Sequence, residues 1–156
     1  MKAGIGKDSH RFDFDDKTKK LILGGIIFEN QPALSGNSDA DVVLHAITNA
    51  ISGITCENIL GPKADDLCLI QGITDSSVYL KESLKALRDS SISHISISIE
   101  CKFPKITPMI PAMRENLSLL LDIPQTSIGI TATTGEELTP FGQGLGIECL
   151  CIVTAN

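Results

Sequence analysis

Aromatic residues are scarce in this sequence of 156 residues, which has no tryptophan, one tyrosine and five phenylalanines. Proteins that bind single-stranded nucleic acids stack bases on aromatic side chains, and this chain has little material for such a surface. Positive charge is also in the minority, because 13 lysines and arginines stand against 19 aspartates and glutamates, a net charge of −6. We therefore expect no nucleic-acid partner. An anionic small molecule is still compatible, since a few local cations or a metal can outweigh the overall sign.

Long apolar runs and paired cysteines are also missing. The sequence has no run of about 18 apolar residues and no hydrophobic signal region, so we expect neither a membrane span nor secretion. Its five cysteines are odd in number and form no C-x-x-C pair. This usage favours reduced, buried thiols over a disulfide framework or a zinc ribbon, and it predicts a cytoplasmic protein.

The hydrophobic pattern predicts a single domain over residues 1–156, of the α+β class, with a mixed β-sheet and helices packed on one face. The clearest strand is 92–103, where isoleucines alternate with serines. Residues 56–75 contain glycine, proline and paired aspartates and are predicted to be a loop. The other predicted elements are strands at 3–12, 127–133 and 147–154, a short strand pair or bulged strand at 21–30, and helices at 39–54, 75–88 and 108–121.

The helix that follows Ser35 carries a histidine at the edge of its apolar stripe. Ser38 or Asp39 is placed to cap this helix, and the stripe then recurs at helical spacing from Val43 to Ile54. His45 lies beside the stripe, near the helix N-terminal half, which favours anions. Such a histidine is more often a structural residue than a ligand, so its role depends on what the rest of the chain brings to it.

Two further segments supply candidate ligands. Asp8 and His10 are two residues apart in a predicted strand and would share one face, either as metal ligands or as a solvent-facing pair joined by a hydrogen bond. With His45 they make a set of two imidazoles and one carboxylate, which suits Zn²⁺ with an open fourth position. Glu136, after two threonines and a glycine, is a carboxylate for a harder cation such as Mg²⁺ held together with phosphate oxygens.

Five motifs in order make the chain similar to the 2-C-methyl-D-erythritol 2,4-cyclodiphosphate synthase family. They are G-x-G-x-D-x-H-x-F from Gly4 to Phe12, S-D-x-D-V-x-L-H-A from Ser38 to Ala46, P-K-I…I-P-x-M-R from Pro104 to Arg114, A-T-T-x-E-x-L from Ala132 to Leu138, and G-x-G-x-G-I from Gly142 to Ile147. The resemblance covers essentially the whole chain. It implies a homotrimer with active sites between subunits, each holding zinc and a magnesium or manganese ion.

The resemblance also implies roles for individual residues. Asp8, His10 and His45 would bind zinc, and Glu136 would hold the second metal, magnesium or manganese, against the diphosphate. Lys105 and Thr134 would act with Glu136 as catalytic groups. The substrate, a cytidine diphosphate compound, would contact a larger set, namely Asn37, Ser38, Gly61, Cys101, Lys102, Phe103, Pro104, Lys105, Ala132, Thr133 and Thr134.

The implied reaction is intramolecular. The 2-phosphate of 4-diphosphocytidyl-2-C-methyl-D-erythritol 2-phosphate attacks the β-phosphorus, expels CMP and closes a cyclic diphosphate of the non-mevalonate isoprenoid pathway. Phosphoryl transfer mainly needs positioning and neutralised charge, which two metals and a lysine can supply. No cysteine is needed as a nucleophile.

Several positions differ from the family pattern. Asn37 and Asn49 stand where a histidine and an aspartate are usual, and Gln143 replaces a usual arginine. Asn58 to Gly61 replaces G-D-I-G, so that Ile59 takes the place of an acidic residue, and residues 62–66 replace F-P-D-x-D. Two alternatives to the cyclase therefore stay open, a metal-dependent phosphohydrolase or cyclase with altered substrate preference, and a non-catalytic trimer that binds a nucleotide or an isoprenoid phosphate.

Overall fold

The structure is a computed structural model and describes residues 1–61, 64 and 66–156. The strands of these residues are β1 (Lys2–Asp13), β2 (Leu21–Leu23), β3 (Ile26–Phe28), β4 (Ala33–Leu34), β5 (Ile92–Glu100), β6 (Ile128–Thr133) and β7 (Gly146–Ala155). The α-helices are α1 (Val42–Thr55), α2 (Ser76–Ala86) and α3 (Ile110–Leu121). No helix of the described residues has both the length and the apolar character needed to cross a membrane.

One mixed sheet organises the fold, with the strand order β4-β1-β7-β5-β6. Strand β7 pairs antiparallel with β1 and with β5, while β5 and β6 run parallel. Along β5 the isoleucines at 95, 97 and 99 are fully buried and the serines between them are exposed. The alternation shows that one face of the sheet packs against the core. The predicted α+β class and mixed sheet are confirmed.

Helix α1 lies unusually close to β1, and two glycines make this approach possible. A Cβ atom at Gly6 would lie 1.9 Å from the backbone oxygen of Ala46, and one at Gly4 would lie 2.0 Å from that of Ala50. Any side chain here would therefore push the helix away from the strand. The contact places the N-terminal half of α1, including His45, directly over the strand that carries Asp8 and His10.

Asp41 caps α1, so the sequence-based choice of Ser38 or Asp39 was wrong by two or three residues. The fully buried Asp41 carboxylate accepts hydrogen bonds from the N–H groups of Val43 and Leu44, at 3.0 Å each. It also accepts from Gly24 and Gly25 at 2.9 and 2.7 Å, which ties the β2–β3 turn to the helix. Burial raises the pKa of Asp41 to about 6, although the backbone N–H groups act in the opposite direction.

Further comparisons with the sequence-based expectations concern the short strands, the outer face of β7 and the cysteines. Residues 21–30 form the short pair β2–β3, one of the two predicted forms, while β4 was not predicted. The apolar sequence of β7 is typical of a buried strand, but Leu150 and Ile152 on its outer face are exposed. Cys101, Cys149 and Cys151 are buried as expected, whereas Cys56 is exposed and Cys68 is half-buried.

The predicted loop 56–75 contains a π-helical turn over Asp66–Ile70. Of the substituted segment 62–66, residues 62, 63 and 65 lie outside the described residues. In α2, Tyr79 and Leu80 are buried, while Val78 is half-buried.

Asp41→Asn should lower the free energy of unfolding by about 2 kcal/mol. The NH2 group of asparagine replaces one carboxylate oxygen and is itself a donor, so one of the four backbone N–H groups loses its acceptor. Urea unfolding followed by circular dichroism, at fixed protein and zinc concentration, measures the change. Asp75→Asn is the matched control, since Asp75 caps α2 in an exposed position and, among the described residues, its side chain accepts only from the Ser77 N–H. Asparagine caps as well as aspartate, so the control should stay within about 0.5 kcal/mol. An equal loss of unfolding free energy in the two variants would contradict the stabilising role of the contact between Asp41 and the β2–β3 turn.

Candidate active site

Asp8, His10 and His45 meet in the structure, although 37 residues separate the first from the last. Strand geometry puts Asp8 and His10 on the β1 face that packs against α1, and the glycine contact brings His45 above them. Oδ2 of Asp8 lies 3.0 Å from Nδ1 of His45 and 3.3 Å from Nε2 of His10. One ligand atom from each of the three residues lies within 4.8 Å of the other two.

The charges of this cluster are coupled, and its three side chains offer the electron pairs that a metal ion binds. Burial disfavours the ionised Asp8, but hydrogen bonds and charge from both histidines outweigh it and hold the pKa of Asp8 below its usual value. The hydrogen bond to Asp8 in turn raises the pKa of His10 above 6.5. Ligands at about 2.0–2.1 Å from a tetrahedral zinc lie roughly 3.4 Å apart, close to the distances between these side chains. The three residues therefore fit a metal ion.

The cluster lines a cavity of about 280 Å³, which we call the metal pocket. Asn37, Ser38 and Gly61, which the family resemblance places at the substrate, line the same pocket. Asn49 also lines it and donates a hydrogen bond to the backbone oxygen of Lys7 at 3.1 Å. Ile59 does not, because its side chain is buried in a small core with Tyr79. The position of the missing acidic residue is therefore part of the hydrophobic packing beneath the pocket.

A second cavity, of about 260 Å³, lies where β5 and β6 end, and we call it the nucleotide pocket. It is lined by most of the remaining predicted residues, namely Cys101, Lys102, Pro104, Lys105, Ala132, Thr133 and Thr134. Burial raises the pKa of the Cys101 thiol to about 11, so this cysteine is a neutral wall residue. Lys102 is paired with Glu137 at 2.6 Å, while in the described part of the chain Lys105 forms no salt bridge.

The turn after β6 presents two hydroxyl groups. The Thr133 and Thr134 oxygens accept hydrogen bonds from the backbone N–H groups of Gly135 and Glu136, at 3.2 and 3.4 Å. Each hydroxyl proton consequently stays available for an acceptor such as a phosphate oxygen. Glu136 is exposed in this turn with a left-handed backbone (φ 47°) and lines neither pocket. Phe103 also lines neither of them and stacks on Phe12 at a ring distance of 4.7 Å.

The candidate residues are thus divided between two places on one chain. The metal pocket and the nucleotide pocket have no lining residue in common among the residues that the structure describes.

Sequence reasoning missed several residues around the metal pocket. Cys68 and Tyr79 line it, and Cys68 donates its thiol proton to the backbone oxygen of Asn37 at 3.3 Å. Ser76 contacts His45 through its hydroxyl at 2.8 Å and is also bonded to Asp39. Ser76 lies in the predicted helix 75–88, and no periodicity links it to a histidine 31 residues away.

Comparisons with known proteins agree over the whole chain. The model of the YgbB family matches residues 1–156. The chain is 53% identical over 154 residues to 2-C-methyl-D-erythritol 2,4-cyclodiphosphate synthase of Chlamydia trachomatis serovar L2b (strain UCH-1/proctitis), covering 98% of this chain and 86% of the relative.

Solved structures give the same result. The bifunctional IspDF from Campylobacter jejuni superimposes with a TM-score of 0.87 at 28% identity, covering 98% of this chain, which spans 41% of that protein. IspF of Plasmodium falciparum, in a complex with CDP, has a TM-score of 0.81 at 25% identity, with 98% of this chain and 94% of the other covered. The full-length family match and the high identity to a named synthase lead to one conclusion: the chain belongs to the YgbB family, the family of the 2-C-methyl-D-erythritol 2,4-cyclodiphosphate synthases.

Proposed function

We propose that this protein is a phosphorus–oxygen lyase that converts 4-diphosphocytidyl-2-C-methyl-D-erythritol 2-phosphate into 2-C-methyl-D-erythritol 2,4-cyclodiphosphate and CMP. The observation that carries the proposal is the intact Asp8–His10–His45 cluster in a cavity large enough for a small ligand. Relatives that are about half identical over nearly the whole chain are synthases of this product. The reaction belongs to non-mevalonate isoprenoid biosynthesis, and we propose that it takes place in the cytoplasm.

Two metal ions are part of the proposal. Asp8, His10 and His45 would hold zinc, because a mixed imidazole–carboxylate set with one open position suits this ion. Glu136 would hold magnesium or manganese, which prefer carboxylate and phosphate oxygens. When bound, the ions supply positive charge that stabilises the negative charge of the diphosphate. The acidic chain would otherwise repel so anionic a substrate, since its net charge is −6.

The side chains of this protein would position the reacting groups. The 2-phosphate oxygen forms a bond to the β-phosphorus, and the bond from that phosphorus to the CMP oxygen breaks and leaves its electron pair on CMP. Lys105 and the hydroxyl groups of Thr133 and Thr134 would bind phosphate oxygens, since the hydroxyls have protons to donate. Cys101, Lys102, Pro104 and Ala132 line the nucleotide pocket and would border the cytidine, with Lys105 near it.

The far end of the substrate would lie in the metal pocket. Asn37, Ser38 and Gly61 line this pocket and would contact the methylerythritol part. Asn49 offers an amide where the family pattern has a carboxylate, and it keeps a hydrogen-bonding group at the wall of the pocket. Because Ile59 is buried, the hydroxyl groups of the substrate would depend on polar groups other than an acidic residue at this position.

We propose that residues 1–156 form one cyclodiphosphate-synthase-like domain that assembles as a homotrimer with its active sites between copies. The division of the site between two pockets supports this, because a threefold, head-to-tail contact joins two different surfaces of the same chain. The outer face of the sheet offers such a surface. Ile5 and Ile152 are direct neighbours on β1 and β7, and they are 65% and 45% exposed. Exposed apolar patches of this kind mark association sites.

Phosphorus NMR tests the proposed reaction directly. The purified protein, incubated with Zn²⁺, Mg²⁺ and the 2-phosphate substrate, should give the cyclic diphosphate and CMP in equal amounts. CMP together with the open-chain 2,4-bisphosphate, formed when water instead of the 2-phosphate attacks the β-phosphorus, would instead identify a phosphohydrolase. An unchanged spectrum with bound nucleotide would contradict catalysis and leave a binding protein.

His45→Ala should abolish tight zinc binding and turnover, because the cluster loses one of its three proposed ligands. The fold should persist. Metal analysis after gel filtration measures zinc per chain, and circular dichroism reports the fold. His94→Ala is the matched control, since His94 is exposed on β5, away from the cluster. The control should keep its zinc. Full zinc occupancy in His45→Ala would refute the assignment of the ligands.

Mixed trimers should recover activity that neither parent variant has. His45→Ala breaks the metal pocket, and Ala132→Phe fills the nucleotide pocket of the other chain type. In random trimers a site between neighbours joins two intact halves one time in four, so co-expressed, differently tagged variants should show about a quarter of the wild-type activity. No recovery in verified mixed trimers would mean that each chain carries a complete site.

A further inference from the structure

A buried hydroxyl group stands directly behind one of the three proposed metal ligands. Ser76 is the first residue of α2 and is fully buried, and its Oγ lies 2.8 Å from Nε2 of His45. The other nitrogen of the same ring, Nδ1, faces Asp8 at 3.0 Å. His45 is therefore held between the metal cluster on one side and Ser76 on the other.

Asp39 stands behind Ser76 and fixes its position. The Asp39 carboxylate accepts the hydroxyl proton of Ser76 at Oδ1 and the backbone N–H of Ser76 at Oδ2, the latter at 3.0 Å. Oδ1 also accepts the N–H of Asp41 at 3.1 Å, and the N–H of Asp39 donates to the backbone oxygen of Thr74 at 2.8 Å. Asp39 thus joins the segment before α1 to the start of α2.

The hydrogen-bonding capacity of each group determines where the protons lie. A carboxylate only accepts, and a serine hydroxyl has a single proton, so the proton of Ser76 is committed to Asp39. The Ser76 oxygen can then only accept from His45, which requires a proton on Nε2. In the neutral ring Nδ1 consequently keeps its lone pair, directed at the Asp8 side of the cluster.

The neighbouring groups do not offer His45 a second partner of this kind. Tyr79 lies 6.1 Å away between ring centres, but its hydroxyl donates to the backbone oxygen of Ile73. Thr48, one turn further along α1, donates to the backbone oxygen of Leu44. Among the described residues, Ser76 alone is hydrogen-bonded to Nε2 of His45.

We propose that Ser76, oriented by Asp39, is a positioning residue that sets the tautomer and the direction of His45 for metal binding. The proposal rests on the metal site of the proposed function and adds to it two residues outside the ligand set. Partners of this kind raise metal affinity by fixing the ligand before the metal arrives. Ser76 is also the first residue of α2, so the relay connects the position of that helix to the metal cluster.

Zinc affinity and NMR of the histidine ring together test the relay. Ser76→Ala should weaken zinc binding by about 10- to 100-fold in competition with a chromophoric chelator. In nitrogen–proton correlation spectra of the zinc-loaded protein, the Nε2 proton of His45 should exchange slowly in the wild type and be broadened by water exchange in Ser76→Ala. Ser76→Thr keeps the hydroxyl and should restore both properties.

Ser77→Ala is the matched control, because it removes a hydroxyl one residue away that is only half-buried. It should leave zinc affinity and the Nε2 proton unchanged. Asp39→Asn is the second test variant, in which one of three donors to Asp39 loses its acceptor, and it should weaken zinc binding in the same direction even if Ser76→Ala fails to fold.

Wild-type zinc affinity in a folded Ser76→Ala protein, or in Asp39→Asn, would overturn the relay. This result is distinct from failure of the metal site itself, which would appear as zinc retained by His45→Ala. Loss of zinc from His45→Ala with normal zinc in both relay variants would therefore reject this inference alone.

Discussion

The close contact between α1 and β1 is the constraint on which the rest of the site depends. Glycines at positions 4 and 6 let backbone atoms of the helix lie where a Cβ would otherwise stand, within about 2 Å of it. Without that approach, Asp8 and His10 would face ordinary core packing and His45 would sit too far above the strand. The ligand cluster is thus a product of backbone geometry first and of side-chain chemistry second. Within the cluster, Asp8 faces both imidazole rings, and His45 has a polar partner at each ring nitrogen.

Acidic side chains before α1 stabilise this arrangement in different ways. Asp41 is buried and satisfies four backbone donors, so it fixes the start of the helix and the turn between β2 and β3. Asp39, two residues earlier, points to α2 and holds Ser76. Alternating residues of one short segment therefore orient the helix that carries His45 and the hydroxyl behind His45. The carboxylates act here as acceptors for backbone donors, and this role differs from the ligand role proposed for Asp8.

Much of the fold follows from the sequence because its periodicities are local. The alternation in β5 and the apolar stripe of α1 predicted these elements correctly, and the stripe is buried at every predicted position. The cap of α1 was misplaced because Ser38, Asp39 and Asp41 all have capping side chains, and the choice depends on the tertiary contact with Gly24 and Gly25. The exposure of one face of β7 could not be predicted from the sequence, since an apolar residue on the outer face looks the same in sequence as one in the core.

The site shows the same division between local and tertiary information. The D-x-H pair and the helical histidine could be named as candidates from spacing alone, but their meeting depends on the glycine contact. The roles in the nucleotide pocket came from family motifs, which specify residue types but not how the pockets are distributed on one chain. Ser76 escaped because its partner is 31 residues away and its hydroxyl group also suits a helix terminus.

The exposed outer face of the sheet has a consequence for the life of the protein in a cell. A newly made single copy exposes Ile5, Leu150 and Ile152 on neighbouring strands. Chaperones and quality-control proteases recognise exposed apolar residues of this kind. In the proposed trimer, copies that cover this face on each other would escape such surveillance, whereas surplus single copies would not. The amount of assembled protein would then depend on how often copies meet. A reduction in expression would therefore lower that amount by more than the same factor.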